Sequence, residues 1–172
     1  MKVVFALCLL SLFFVSCDSS EKLSKETAMT LLQEQDSYPK LLVEDIYIGD
    51  PADVKRILDL DLAEEGLVSI QTSQKLSEVG EPLITFTEKA QPYLIESEGN
   101  DPKIQSVKIA DEELNEIVSI QTAEDGKSAI VEYRTSFENE TPFAELSRVD
   151  LEEENVQTAN FVLSDEGWGM LD

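Results

Sequence analysis

The residues of this chain that could do chemistry are almost all carboxylates. The sequence carries 36 Asp and Glu against 13 Lys and Arg, a formal net charge of −23, and it has no histidine. The lack of histidine excludes Ser-His-Asp and Cys-His catalysis and metal sites with imidazole ligands. Glycine-rich phosphate-binding motifs and the G-x-S-x-G nucleophile motif are also missing from the sequence. We therefore expect a protein that is not an enzyme and that uses no cofactor.

Carboxylate chemistry is the alternative that this composition leaves open. A glycoside hydrolase needs only two acids, and Ca²⁺ needs only oxygen ligands. The best candidates for a metal cluster are Asp59, Asp61, Glu64 and Glu65, which cluster at the end of the second predicted helix. No D-x-[DN]-x-[DN]-G loop contains them, so the favoured interpretation is a solvated surface without a metal site. Ca²⁺ binding and carboxylate-based hydrolysis are the alternative functions.

The acidic surface also limits the partners that the protein can have. Such a charge repels nucleic acid and favours cationic partners. The best-predicted helix offers only Lys55 and Arg56 as bases, beside three aspartates, so we expect no binding of nucleic acid. A third alternative function is inhibition of a cationic protein. Trp168, which stands between two glycines, has little local cover and is the candidate ligand contact.

The first 17 residues have the pattern of an export signal. Lys2 precedes an apolar run over 3–15, which is shorter than the roughly 20 residues of a membrane-spanning helix. Val15-Ser16-Cys17 then resembles the lipobox of bacterial lipoproteins, although Phe14 stands where that motif usually has leucine. The resemblance implies that residues 1–16 are a signal peptide and that Cys17 is the lipidated first residue of the mature chain. The alternative is a buried N-terminal helix in a cytosolic protein, with Cys17 an ordinary thiol.

The implied lipid at Cys17 predicts where the protein is held. Each buried CH₂ contributes roughly 0.8 kcal/mol, so two or three acyl chains would keep the chain on a membrane. Asp18 directly after the cysteine resembles an inner-membrane retention signal of enteric bacteria. The acids within 18–21 also look like surface-export signals of Bacteroidota lipoproteins. We favour the outer membrane of the cell envelope, with the membrane as the first partner and a protein as a further one.

Beyond the signal, the sequence predicts a tether and then a helical first half. Residues 17–24 are polar and unpatterned, which is typical of a tether. Within 25–98, Ser24 and Asp50 predict the starts of two helices. Strands at 67–72 and 83–87 and a short helix at 88–94 are expected after them. This order resembles a winged-helix module over about 25–95, a resemblance carried by Glu-Glu-Gly-Leu-Val at 64–68 and Ile-Thr-Phe-Thr-Glu-Lys-Ala at 84–90.

The second half, residues 99–172, predicts an antiparallel sheet. Its strands are expected at 104–109, 115–122, 129–137 and 159–163, with turns at 125–126 and 165–167. Thr141-Pro142-Phe143, a late strand and the Gly-Trp end are loosely similar to the C-terminal sheets of small NTF2-like or cystatin-like exported domains. The expected fold class is α+β, with a helical, winged-helix-like first half and an antiparallel β second half. The expected function is that of a lipid-anchored, non-enzymatic binding or accessory module of the cell envelope.

Overall fold

A computed structural model describes residues 22–96 and 101–171, and antiparallel sheet dominates it. Two short α-helices lie in the first half of the chain, and 19% of the structure is helical. Short 3₁₀ helices occur in three of the connections, at Leu76–Glu78, Gln91–Tyr93 and Ala144–Leu146. In chain order the main elements are α1 (Lys25–Gln35), β1 (Lys40–Tyr47), α2 (Pro51–Leu58), β2 (Val68–Ile70), β3 (Ile84–Phe86), β4 (Leu94–Ile95), β5 (Ile104–Thr122), β6 (Ser128–Glu138), β7 (Asn155–Ser164) and β8 (Gly167–Met170).

One curled sheet forms a half-barrel and organises the molecule. Its strands run in the order β1-β5-β6-β7-β8, all antiparallel, and β4 adds a short pairing to β5. β5 is 19 residues long and is the spine of the sheet, because its first half pairs with β1 and its second half with β6. Register shifts along β5 mark β-bulges, which bend strands and increase their twist. β2 and β3 form a separate two-stranded sheet.

Local signals set both helix starts and the turns, as the sequence predicts. The Ser24 hydroxyl accepts the Thr27 N–H, and the Asp50 carboxylate accepts the Ala52 N–H, so each helix has a side-chain N-cap. The two hairpin turns use Gly126 and Gly167, with φ of 68° and 109°, values that favour glycine because it has no Cβ. These predictions are confirmed.

The expected α+β fold class with a winged-helix-like first half is wrong, because the protein is mostly β. A winged-helix module packs its helices together, whereas here the two helices bury into different cores. α1 buries Ala28 and Leu32 in a cluster with residues of β5, β6 and β7. α2 buries Ile57 in a different cluster, around the start of β5. The segment after Leu58 is a series of turns, and the helix predicted near residues 88–94 is a single 3₁₀ turn.

Two hydrophobic cores lie on the sheet, with polar side chains between them. The first core surrounds Phe143, whose ring contacts Phe86 and Tyr93 at centroid distances of 6.1 and 6.0 Å. The second core joins α1 to β5, β6, β7 and β8. Between them Glu112 Oε1 accepts the hydroxyl of fully buried Thr135 at 2.8 Å and the amide of Gln157 at 2.6 Å. These contacts run across β5, β6 and β7 and give the buried Thr135 hydroxyl its acceptor.

The predicted border between the halves, at 98/99, falls on residues outside the described part of the chain. On either side of it the strands are joined, since β1 and β4 from the first half pair with β5 from the second. Residues 1–21, including Cys17 and the predicted signal peptide, also lie outside the described residues. Within the described ranges, no helix has the length and apolar character needed to cross a membrane.

Candidate functional site

An apolar groove of about 820 Å³ lies at the end of β1. One wall is the turn from Tyr47 to Pro51, which leads from β1 into α2. The opposite wall is the loop from Val79 to Leu83, and Pro102 with Lys103 closes one end. Three prolines, at 51, 82 and 102, contribute to this lining. We call this surface the proline-lined groove.

A second depression of about 350 Å³ continues the proline-lined groove along α2. The two share Pro51, Gln74 and Leu83, and the extension adds Val54 and Leu58 from the helix. Leu58 is 47% exposed, so the apolar stripe of α2 is only partly covered by the protein itself. The combined surface is long and shallow, the shape that suits an extended ligand more than a compact one.

The loop that connects β2 to β3 holds its apolar side chains out of the core. Leu76 is 92% exposed and Val79 is 71% exposed. The loop is nevertheless fixed by polar contacts of its own, because Glu78 accepts the Lys75 N–H at 3.0 Å and the Gln71 amide at 3.2 Å. A loop that is ordered in this way, while large apolar side chains face solvent, is typical of a binding surface.

Charged groups near the groove are few and mixed in sign. Asp50 and Glu81 line it together with Lys103, and the Gln74 amide is held by the Glu81 carbonyl at 3.0 Å. The Asp50 carboxylate already accepts a hydrogen bond from the Ala52 N–H, because it caps α2. The groove is therefore mainly an apolar surface with polar groups at its rim, the usual composition of a ligand site.

Beneath the groove wall, α2 is tied to β1 by a cluster of charges. Asp53 accepts the Tyr47 N–H at 2.8 Å and Arg56 Nη1 at 2.9 Å. Arg56 Nη2 also donates to Glu44 at 2.7 Å and to the carbonyl of Leu146 at 3.1 Å. The bond to Glu44, followed by that to Asp53, raises the pKa of the Arg56 guanidinium. This cluster fixes α2, and with it one wall of the groove.

The metal candidates named from the sequence do not converge on one point. Asp59, Asp61, Glu64 and Glu65 are all exposed and lie in the turns after α2. No group of three or more His, Cys, Asp or Glu side chains that could hold a metal ion occurs in the part of the chain that is described. The four acids therefore occupy an open surface.

Trp168, the ligand contact suggested by the sequence, lies on β8 opposite Leu163 and packs against the second core. It is far along the sheet order from β1, whose end carries the groove. The groove residues themselves were missed by reasoning on the sequence. The available signal was Val79-Gly80-Glu81-Pro82, where an apolar residue interrupts a polar loop.

Comparisons with protein-family models, with curated proteins and with solved structures found no significant match for this chain.

Proposed function

We propose that this protein is a non-enzymatic binding module of the bacterial cell envelope, held on a membrane by lipid at Cys17. The observation that supports binding is the proline-lined groove, which offers apolar lining on a frame held by hydrogen bonds. Exposed apolar area costs roughly 25 cal/mol per Å² in water, so a ligand that covers Val79 and Leu58 gains that free energy on binding. The composition, without histidine, supports binding rather than catalysis.

The groove is tested with an uncharged apolar dye, N-phenyl-1-naphthylamine, which is added to the full chain. The detergent in the sample is kept below the critical micelle concentration of that detergent. We expect fluorescence that rises and saturates, and a several-fold weaker affinity in Val79→Asp. The matched control is Val156→Asp, because Val156 is 55% exposed and β7, which carries it, is three strands from β1 in the sheet order. Equal dye binding by the two variants would mean that the groove is not the binding surface.

The membrane part of the proposal is tested separately, by metabolic labelling with a radioactive fatty acid. Cys17→Ala should lose the label and, unless its precursor is still cleaved, should keep residues 1–16. Fractionation of the labelled protein should place it with the outer membrane, the compartment that the acids within 18–21 favour. Label that persists in the Cys17→Ala variant would contradict lipidation at this residue.

A further inference from the structure

We propose that the outer edge of β1 is a second binding surface, which pairs with an extended cationic segment of a partner protein. β1 is the terminal strand of the large sheet, and among the described residues its only sheet neighbour is β5. A strand at the edge of a sheet presents unpaired backbone N–H and C=O groups, which another strand can satisfy. A polypeptide is therefore the occupant whose chemistry matches this surface.

The register shows which backbone groups face outward. Ile48 N donates to the Lys103 carbonyl at 3.0 Å, so this residue faces the β5 side. Because alternate residues of an antiparallel strand turn to the same neighbour, Ile46 and Glu44 face β5 while Asp45 and Val43 face away. Tyr47 agrees with this alternation, since its N–H donates to Asp53 instead of to β5. Between Leu42 and Val43 the pairing shifts by one residue, because Ile109 of β5 has no partner on β1, and β1 itself keeps its alternation. The edge is thus open from Leu41 to Asp45 and closed at Tyr47.

The side chains along this edge form an apolar row that the protein leaves uncovered. Leu41, Val43 and Tyr47 lie on one face of β1, with the exposed Asp45 between the last two, and are 52%, 41% and 51% exposed. The opposite face of the strand carries Ile46, which is buried in the first core. A partner strand would extend the sheet and cover the apolar row at the same time. We call Leu41, Val43 and their outward backbone groups the β1 edge.

Comparison with a second stretch of sheet edge, on β7, supports β1 as the edge that pairs with a partner. β8 pairs with only the last part of β7, so residues 155–159 of β7 also have one sheet neighbour among the residues described. There the exposed large apolar side chain is Val156, without a second one two residues away. The β1 edge has two in succession. Pro39 and Lys40 precede it, and no proline or lysine lies within the stretch from Leu41 to Tyr47.

The charge of the chain decides between a second copy and a different partner. Each copy carries a formal net charge of −23, so edge-to-edge pairing of two copies brings two strongly negative molecules together. The exposed Asp45 carboxylate adds a negative charge at the open edge itself. Glu44, on the inner face, is already paired with Arg56 and Arg148. A segment that alternates apolar and basic side chains complements both the apolar row and this field.

The test uses the full chain in detergent and a fluorescein-labelled octapeptide that alternates valine and lysine. We expect the fluorescence anisotropy of the peptide to rise with protein concentration, with an affinity that falls about tenfold or more from low salt to 0.3 M salt. A peptide N-methylated at alternate amides cannot form the ladder, and we expect it to bind at least several-fold more weakly. A valine-glutamate peptide should not bind.

Matched variants separate the β1 edge from general attraction to an acidic surface. Val43→Lys should lower the affinity for the valine-lysine peptide about tenfold, whereas Ile130→Lys should leave it unchanged. Both variants add one positive charge at an exposed apolar position. Ile130 lies on β6, which is paired on both sides at that residue. Circular dichroism is the check that both variants keep the fold. Val79→Asp, which changes the proline-lined groove, should leave peptide binding intact. Failure of the groove proposal and failure of the β1-edge proposal are therefore distinguishable.

Three results would overturn this proposal. Equal binding of the N-methylated peptide would show that charge alone attracts the peptide, without strand pairing. Equal effects of Val43→Lys and Ile130→Lys would place the peptide elsewhere on the surface. A concentration-dependent dimer of the chain alone in analytical ultracentrifugation, abolished by Val43→Lys, would show that the occupant is a second copy.

Discussion

Replacement of Asp53 tests how the wall of the proline-lined groove is held. Asp53 is 7% exposed, and its carboxylate accepts two hydrogen bonds, one from the Tyr47 N–H and one from Arg56. A hydrogen bond to a charged group contributes about 1.5–3 kcal/mol. Two factors reduce the total loss in Asp53→Ala. Arg56 keeps Glu44 and the Leu146 carbonyl, and the Tyr47 N–H lies at an exposed strand end where water can replace the carboxylate.

We therefore expect Asp53→Ala to lower the free energy of unfolding by about 2–3 kcal/mol. Asp53→Asn keeps an acceptor for the Tyr47 N–H and loses the charge that faces Arg56, so its cost should be about 1 kcal/mol. The measurement is urea denaturation followed by far-ultraviolet circular dichroism at pH 7, with the slope m compared between variants.

The matched control for this experiment is Asp59→Ala. Asp59 is exposed and sits at the C-terminal end of the same helix, so its replacement should change stability by less than about 0.5 kcal/mol. If Asp53→Ala were as mild as Asp59→Ala, the two hydrogen bonds would only compensate the desolvation of the carboxylate. The claim that Asp53 fixes the groove wall would then be refuted.

Three further predictions concern the cores and the polar contacts between them. Phe143→Ala, which empties the centre of the first core, should cost about 3–5 kcal/mol in the same urea assay, and a loss below 1 kcal/mol would contradict that packing. Glu112→Ala leaves buried Thr135 without its acceptor and should cost about 2–4 kcal/mol, whereas Glu112→Gln should cost less because one amide oxygen remains. Burial raises the pKa of Tyr133, so the stability it contributes is complete below the unfolded pKa of about 10 and is lost as the pH rises toward the folded value. The urea midpoint should therefore fall above pH 10, and it should fall less steeply in Tyr133→Phe; identical slopes would contradict this assignment.

Sequence patterns could predict the helix starts and hairpin turns because their causes are local. The caps at Ser24 and Asp50 bond to N–H groups two or three residues away, and Gly126 and Gly167 supply backbone angles that depend on one residue. The end of α2 could not be predicted in this way. Glycine is the residue that most often ends a helix, and the next glycine after Asp50 is Gly66, yet α2 ends at Leu58. The turns that follow bring Leu62 and Leu67 into the first core, a requirement that only the folded chain imposes.

The single strand β5 was predicted as two strands for a related reason. The acidic stretch within 110–114 has the polarity of a loop. In the structure its charges find partners, since Lys108 of the same strand pairs with Asp111 at 2.7 Å and Thr135 of β6 donates to Glu112. Thr135 is 23 residues from Glu112 in the sequence, so no local window contains this partner. The long strand also contradicts the predicted winged-helix module. β1 lies in the first half of the chain and pairs with β5 of the second half, so the first half is not a separate helical unit.

The proline-lined groove and the β1 edge could not be predicted, since both depend on which elements become neighbours. Asp53 shows how local and distant causes meet in one residue. The sequence explains its place in the first turn of α2, where an acid favours the helix by about 0.3–1 kcal/mol. Only the fold shows that the same carboxylate binds the Tyr47 N–H and so closes the β1 edge at that residue. Because that bond takes the outward N–H at the end of β1, a partner strand can pair only from Leu41 to Asp45. The length of the binding surface is therefore set by a helix residue, and Asp53→Ala should lengthen it as well as loosen the groove wall.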